Sequence, residues 1–284
     1  MKIGAHVSSA GGLGKVADRA QEIGAEAVQI FASSPRAWRF KEPPEEEVEA
    51  YISNAAESGI ADTFLHGIYL VNIGGDQELI DKSVESLTNH LKVASRIRAS
   101  GVIFHGGSHK GRGFDAILDS AAGAMTRVLE AAPSDVWLIV ENSAGMGSHV
   151  GSSFNEIGRL IAAVGSPQVK VCLDTEHTFA AGYNLAEPGA IDSVMEEFDR
   201  EIGLDRLVVV HANDAKVEFA SGVDRHENIG EGYIGTDGFE TIMGHSAFRD
   251  IPFLLEVPGF EKKGPDKPNV DILKTIREGL GLPS

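Results

Sequence analysis

Eight short apolar segments recur along the chain, each rich in Val, Ile, Leu or Phe. Most are continuous apolar runs rather than alternating ones, which is typical of strands buried on both faces of a parallel sheet. We therefore predict strands at Lys2–His6, Ala27–Phe31, Thr63–His66, Val102–His105, Val136–Glu141, Val169–Asp174, Leu207–His211 and Pro252–Glu256.

Segments with helical periodicity separate these strands. The clearest runs from Glu78 to Ser100, where apolar residues recur at steps of three and four, and Gly101 is predicted to end it. Another helix is predicted to begin around Pro43-Pro44, because prolines suit a first turn and the acids that follow complement the helix dipole. This alternation predicts an α/β fold, a single (β/α)8 TIM-barrel domain over residues 1–284.

Composition narrows the class of protein. A hydrophobic content of 42% suits a soluble globular chain, and no apolar run approaches the roughly 18 residues of a membrane helix. The first residues, MKIGAHVSSAGG, predict a strand and turn rather than a signal peptide. A lone cysteine, Cys172, excludes an internal disulfide and fits a reducing compartment, so we expect the cytoplasm.

Metal-capable side chains stand at the ends of six predicted strands. The carboxyl ends of all strands meet at one face of a barrel, so side chains far apart in sequence are expected to share one pocket. His177 follows one of these strands closely, and Asp224 and His226 lie in the loop after another. The predicted ligands are His66, His105, Glu141, Asp174, His177, His211, Asp224, His226 and Glu256.

Five histidines and four carboxylates without sulfur point to transition-metal chemistry. Imidazole suits zinc, and carboxylates can bridge two metals. Nine ligands exceed what one tetrahedral ion can use, and four carboxylates packed without cations would repel one another or become protonated. The sequence therefore predicts a site for two or three divalent ions.

The other histidines are assigned smaller roles. His6 also ends a strand, and the sequence leaves open a ligand role, a supporting role or a purely structural one. His109 is predicted to be a loop residue, and His90 is predicted to lie on the solvated side of its helix. His149 and His245 are interpreted as surface or loop residues, and Cys172 as a small buried hydrophobe.

Five motifs together resemble the endonuclease IV family of apurinic/apyrimidinic endonucleases, and the resemblance extends from residue 2 to about residue 260. The segment DRHENIG is the most specific of them. The motifs are Gly4–Ser8, Glu141–Gly145, Cys172–His177, His211–Lys216 and Asp224–Gly230.

This resemblance implies a DNA-repair hydrolase that holds three zinc ions. The first ion would be bound by His66, His105 and Glu141, the second by Glu141, Asp174, His211 and Glu256, and the third by His177, Asp224 and His226. Glu141 and Glu256 would position the attacking water. Arg36, Tyr69 and Leu70 would insert into the duplex.

The implied substrate is double-stranded DNA with abasic sites. Cleavage 5′ to the site would leave a 3′-hydroxyl and a 5′-deoxyribose phosphate, as in base excision repair. A monomer is expected, with no membrane partner.

Two loops depart from the family's usual pattern. The chain has His105-Gly106-Gly107-Ser108 where the family has His-Pro-Gly-Ser, and His66-Gly67-Ile68-Tyr69 where it has His-Ala-Pro-Tyr. Each change removes a proline and adds a glycine, which predicts looser loops around the DNA.

The acidic net charge of the chain leaves two other functions open. The net charge of -17 is unusual for a DNA-binding protein, which normally presents a basic surface. A divalent-metal sugar isomerase or epimerase on a related barrel would need no basic track, although it would leave Asp224 and His226 without a purpose. A non-catalytic damage-binding protein is the third alternative, disfavoured by the cost of an unused carboxylate cluster.

Overall fold

The computed structural model describes residues 1–284. Eight parallel strands close into a barrel, in which neighbours follow the order β1-β10-β7-β6-β5-β4-β3-β2. A two-stranded antiparallel hairpin, β8 with β9, stands outside the barrel. The strands are β1 (Ile3–His6), β2 (Ala27–Phe31), β3 (Asp62–His66), β4 (Gly101–His105), β5 (Trp137–Glu141), β6 (Val169–Asp174), β7 (Leu207–His211), β8 (Asp214–Ala215), β9 (His226–Glu227) and β10 (Phe253–Leu255).

Helices lie between the strands and pack around the barrel, which confirms the TIM-barrel prediction. None of them combines the length and the apolar character needed to cross a membrane. They are α1 (Val16–Ile23), α2 (Glu45–Glu57), α3 (Gln77–Arg96), α4 (Phe114–Ala131), α5 (Phe154–Val164), α6 (Thr175–Ala180), α7 (Ile191–Glu201), α8 (Gly235–Gly244) and α9 (Lys267–Gly279).

The inside of the barrel is filled by one apolar side chain from nearly every strand. Cys172 belongs to this layer and is fully buried, as predicted, and burial raises the pKa of its thiol to about 12. The layer is solid, so any ligand must bind at the rim rather than within the barrel. Its members are Ala27, Phe64, Ile103, Ile139, Cys172, Val209 and Leu254.

Several predicted strands begin one residue away from the observed ones, and two other differences change the role of a residue. α3 ends at Arg96, and the chain turns through Arg98 with φ 60°, so Gly101 does not end the helix but begins β4. Glycine is needed there because a Cβ atom would lie 2.4 Å from the Trp137 carbonyl oxygen. The last barrel strand ends at Leu255, so Glu256 follows it instead of ending it.

The amino-terminal end of the barrel is closed by an ion pair across the chain. Arg277 of α9 donates to both oxygens of Glu26, at 2.6 and 3.1 Å, and also to the carbonyl of Met1. Glu26 in turn accepts a hydrogen bond from the backbone of Ile3. This end of the barrel therefore serves stability, and the opposite rim is free to carry chemistry.

Candidate metal centre

The nine predicted ligands lie at the carboxyl end of the barrel, and several of them line a cleft of about 1150 Å³. Five end a strand, at β3, β4, β5, β6 and β7, and Glu256 directly follows β10. His177 is in α6, and Asp224 and His226 come from the loop between β8 and β9 and from β9 itself. Barrel closure thus gathers segments spread from residue 66 to residue 256 around one opening.

Three overlapping groups of side chains could each hold an ion. His66, His105 and Glu141 form the first group, in which the Glu141 Oε2 atom lies 3.2 Å from His66 Nε2 and 3.5 Å from His105 Nε2. Both nitrogens approach the same oxygen, so an ion among them would take one donor from each residue.

The second group shares Glu141 with the first. The Nδ1 atom of His211 lies 3.0 Å from Glu141 Oε1 and 3.3 Å from Glu256 Oε2. Asp174 completes the group, with Oδ2 at 3.9 Å from the same nitrogen. Because Glu141 offers a different oxygen to each group, it is placed to bridge two ions.

The third group is centred on two histidines. His177 Nε2 and His226 Nε2 lie 3.4 and 3.5 Å from the two oxygens of Asp224, which is the carboxylate that the family resemblance implies. Glu176 and Asp174 approach the same two histidines from the buried side. Glu176 was not among the predicted ligands.

The second nitrogen of several histidines is held by a neighbour, which leaves the first free for an ion. His66 Nδ1 lies 2.7 Å from the Gly67 carbonyl, and His177 Nδ1 lies 3.0 Å from the Asn142 carbonyl. His211 Nε2 lies 2.8 Å from Oε1 of Gln29. These contacts hold the orientation of each ring and leave its other nitrogen facing the site.

Two asparagines from the sequence motifs orient the carboxylates. Asn213 donates from Nδ2 to Asp174 Oδ2 at 2.7 Å and accepts from the backbone N–H of Glu256. Asn142 accepts from the backbone N–H of Asp174. The asparagines thus connect the carboxyl ends of four strands, β5, β6, β7 and β10.

Asp214 anchors the segment that follows β9, the strand that carries His226. Its buried carboxylate accepts backbone hydrogen bonds from Gly230 and Ile234, each at 2.9 Å, and from two further N–H groups of the same segment. The β8–β9 hairpin begins at Asp214, so this residue ties the start of the hairpin to the segment that leaves it.

Charges and burial compete at each ligand. Burial favours the neutral form of Glu141, but the nearby histidines, above all His105 and His211, hold its pKa well below the usual range. Burial likewise disfavours a charged His211, yet neighbouring anionic groups raise its pKa. Glu141 therefore stays ionised although it is buried, because positive charge lies beside it.

The residues fit divalent ions. His177 Nε2, His226 Nε2 and Glu176 Oε2 are buried polar atoms with no hydrogen-bond partner, an expensive arrangement unless a cation binds them. The donors are imidazole nitrogens and carboxylate oxygens, a set that suits zinc and related metals.

Gln29, which the sequence reasoning overlooked, is the central supporting residue. It is fully buried, and besides His211 it contacts His6 Nδ1 at 2.9 Å and Glu256 Oε1 at 2.5 Å. The available signal was a lone amide within the apolar segment of β2. The role of His6 was left open by the sequence; its Nδ1 atom lies 3.3 Å from Glu256 Oε1, beside Gln29, which favours the supporting role.

His90 was predicted to face solvent, and this was wrong. It is 1% exposed, with Nδ1 at 2.7 Å from the Ser86 carbonyl and Nε2 at 3.3 Å from Ser33 Oγ. It therefore connects α3 to the loop that carries Arg36. His109, His149 and His245 are loop residues of intermediate burial.

The three residues assigned to DNA insertion come from two adjacent loops beside the cleft. Tyr69 is 58% exposed, and its backbone N–H donates to the Pro35 carbonyl at 2.9 Å, directly before Arg36. Its ring meets Phe31 edge to face at 5.4 Å. Arg36 is exposed and Leu70 is half-buried, so a polar and an aromatic side chain project together at the rim.

The glycines of the two loops that depart from the family pattern are tightly packed. A Cβ atom at Gly67 would lie 3.2 Å from Phe104 Cβ, and one at Gly106 would lie 3.1 Å from Val150. Gly107 has φ 78°, and a Cβ there would lie 2.6 Å from Asn72. Glycine is favoured at these three positions because neighbouring residues pack too closely against the backbone to leave room for a side chain.

A closed parallel barrel whose rim carries a histidine and carboxylate cluster defines the class, the xylose isomerase-like TIM barrels. The model of that family matches residues 17–279. The chain is 39% identical over 276 residues to a probable endonuclease 4 of Halothermothrix orenii, covering 96% of this chain and 99% of the relative. It is 38% identical over 264 residues to one of Methanoculleus marisnigri, covering 92% and 94%.

Solved structures are similar to this chain over nearly its whole length. The structure of endonuclease IV from Thermus thermophilus matches with a TM-score of 0.87 at 36% identity, covering 98% of this chain and 100% of that one. A D-tagatose 3-epimerase-like protein matches with a TM-score of 0.75 at 18% identity, covering 99% and 98%, which shows the shared fold alone. Within its class, this chain belongs to the endonuclease IV family of metal-dependent nucleases.

Proposed function

We propose that this chain is a zinc-dependent repair endonuclease that hydrolyses the phosphodiester 5′ to abasic sites in double-stranded DNA. The products would be a 3′-hydroxyl and a 5′-deoxyribose phosphate. The observation that carries the proposal is the convergence of nine ligands in one cleft. The extended similarity to endonuclease IV supports it over the sugar isomerase, whose likeness is limited to the fold.

The proposal includes three zinc ions. The residues would be His66, His105 and Glu141 for the first, Glu141, Asp174, His211 and Glu256 for the second, and His177, Asp224 and His226 for the third. When bound, such ions lower the pKa of a water towards about 7 and neutralise charge on phosphate oxygens.

Glu256 and Glu141 would have different roles in the reaction. Glu256 is 18% exposed and lines the cleft, where its carboxylate would accept a hydrogen bond from the attacking water. Glu141 is fully buried and would hold the surrounding ligands at fixed spacing. Gln29 and His6 contact Glu256 and restrict its rotation.

Residues at the rim of the barrel would recognise the abasic site. Arg36, Tyr69 and Leu70 would enter the duplex as the baseless sugar is extruded, a step that costs least where stacking is already lost. Arg19, Lys262 and Lys263 line the cleft and would supply a local attraction for phosphates on an otherwise acidic protein.

We take residues 1–284 as one domain, because a continuous apolar core extends from Met1 to Ile276. All nine proposed ligands come from a single chain, so the site is compatible with action as a monomer. The buried free thiol of Cys172 is consistent with the cytoplasm.

Cleavage of a duplex with one tetrahydrofuran site tests the proposal. Glu256→Gln should lower the rate by about 10²-fold or more, since a positioned carboxylate contributes on that order. Glu240→Gln, an exposed glutamate of α8, is the matched control and should cleave normally. Near-normal cleavage by Glu256→Gln, or conversion of ketoses in place of DNA cleavage, would contradict the proposal.

A further inference from the structure

Glu176 is a buried acid that the proposed mechanism does not use. It lies in α6, is fully buried, and its Oε1 atom accepts a hydrogen bond from the Arg225 backbone at 3.0 Å. Its Oε2 atom is buried without any hydrogen-bond partner. A carboxylate oxygen in that position is costly unless something positive completes its surroundings.

The unpartnered oxygen faces two nitrogens that also lack partners. Glu176 Oε2 lies 3.9 Å from His177 Nε2, and His226 Nε2 is the third buried atom without a hydrogen bond. One donor atom each from Glu176, His177, His226 and Asp174 all lie within 4.8 Å of one another. The unsatisfied atoms thus form one cluster.

The spacing suits a shared ion better than direct hydrogen bonds. A hydrogen bond between the groups would need about 3.2 Å or less. Ligands bound at about 2.0–2.2 Å to one ion stand roughly 3–4 Å apart, which matches the 3.9 Å between Glu176 and His177 and the 3.4 Å between Asp224 and His177. No Lys or Arg side chain forms an ion pair with Glu176.

We propose that Glu176 is an additional protein ligand of the third ion, opposite Asp224. This inference rests on the metal centre proposed above but not on its DNA substrate. Asp224 is 45% exposed at the mouth, whereas Glu176 forms the floor, so the ion would be held between two carboxylates and two histidines. Glu176 would tighten retention of the ion and occupy a coordination position otherwise open to water or phosphate.

Metal titration of the whole protein tests this role. We would measure bound zinc by mass spectrometry after dialysis at graded free zinc, for wild type, Glu176→Gln and Glu176→Asp. Glu176→Gln should lose one equivalent at free zinc concentrations that keep the wild type full, with at least the ~10-fold weaker binding that follows loss of a supporting contact. Glu176→Asp keeps the charge and should lie between the two.

Glu218, an exposed residue of the loop between β8 and β9, provides the control, and Glu218→Gln should behave as wild type. The visible spectrum of the cobalt-substituted protein should change in Glu176→Gln, because the ion loses a ligand. A purely structural role would lower thermal stability without altering that spectrum.

The outcomes separate the two proposals. The role of Glu176 alone would be overturned if the wild type binds three ions and Glu176→Gln binds the third ion with the same affinity and gives the same cobalt spectrum. Two ions or fewer in wild type would overturn this role together with the three-ion centre. A Glu176-dependent third ion in a protein that does not cleave abasic DNA would refute the nuclease and leave the ligand assignment standing.

Discussion

Gln29 Oε1 lies 2.8 Å from His211 Nε2, and both side chains are completely buried. The amide oxygen can only accept, so Nε2 of His211 donates to it, and Nδ1 is the nitrogen that faces Glu141 and Glu256. A side chain of β2 thus orients a candidate ligand on β7.

Replacing Gln29 with methionine should weaken zinc binding by about 10- to 100-fold, the usual cost of losing a contact behind a metal ligand. Methionine keeps the volume and removes the amide. Competition with a chromogenic chelator measures the change. Gln21→Met on the exposed face of α1 should have no effect, and equal zinc affinity in both variants would show that Gln29 does not orient His211.

Truncation of Tyr69 to alanine should lower kcat/KM on abasic duplex by about 10- to 100-fold, because stacking of an aromatic ring on a base contributes about 1–3 kcal/mol. Zinc content should stay at the wild-type value, which distinguishes this effect from loss of a ligand. Tyr233 is similarly exposed but does not line the cleft, so Tyr233→Ala is the control. Equal losses in both variants would contradict insertion by Tyr69.

Asp214→Asn should destabilise the protein by about 2–3 kcal/mol. The substitution removes the charge and replaces one acceptor oxygen with an amide that faces the backbone N–H groups of Gly230 and Ile234. Urea unfolding measures the loss, and hydrogen exchange at the same two amides should quicken. Asp237→Asn, at an exposed site on α8, should unfold like wild type. Unchanged amide protection would mean that the segment after β9 does not depend on Asp214.

The Glu26–Arg277 pair predicts a pH-dependent stability. Burial alone would raise the pKa of Glu26, but Arg277 and the Ile3 amide lower it to about 2. A depressed pKa in the folded state stabilises the protein above about pH 4.5, and that contribution is lost as the pH falls towards 2.

Glu26→Gln should therefore cost about 2 kcal/mol at pH 7 after allowance for partial exposure. The difference from wild type should shrink below pH 4.5. Urea unfolding across this range measures it, with exposed Glu22→Gln as the control. A difference that stays constant down to pH 2.5 would argue against the ion pair as its cause.

Removal of metal should lower the melting temperature by about 5–10 °C per ion lost, because each site filled to about 100 times its Kd contributes about 2.7 kcal/mol. Calorimetry with and without a chelator measures the shift. Restored zinc should recover the original value, whereas magnesium should not, since histidine ligands suit zinc. A melting temperature that does not change when a chelator is added would contradict a buried centre of several ions.

The residues at the rim could be predicted because the carboxyl ends of all barrel strands lie next to one another. His66, His105 and Glu141 could thus be assigned to one pocket from their positions alone. Gln29 could not, since it lies inside β2 and its chemistry depends on which side chains meet across the barrel. Glu176 was passed over because a buried acid within a short helix has no periodic signal.

Helix details show a second limit. His90 stands three residues after Leu87 and one before Leu91, on the edge of the apolar stripe of α3. Periodicity alone did not reveal that the Ser33 loop covers that edge. The end of α3 was misjudged for a similar reason, because close approach to Trp137, not helix capping, requires glycine at position 101.

The two ends of the barrel would respond differently to zinc starvation. Loops at the rim are tied together through the carboxylates of Glu141 and Asp174, which would repel one another without cations, while Glu26 and Arg277 keep the opposite end closed. We expect proteases to cut a zinc-starved chain first at the rim and to spare the far end. The amount of intact enzyme would then follow the metal supply of the cell.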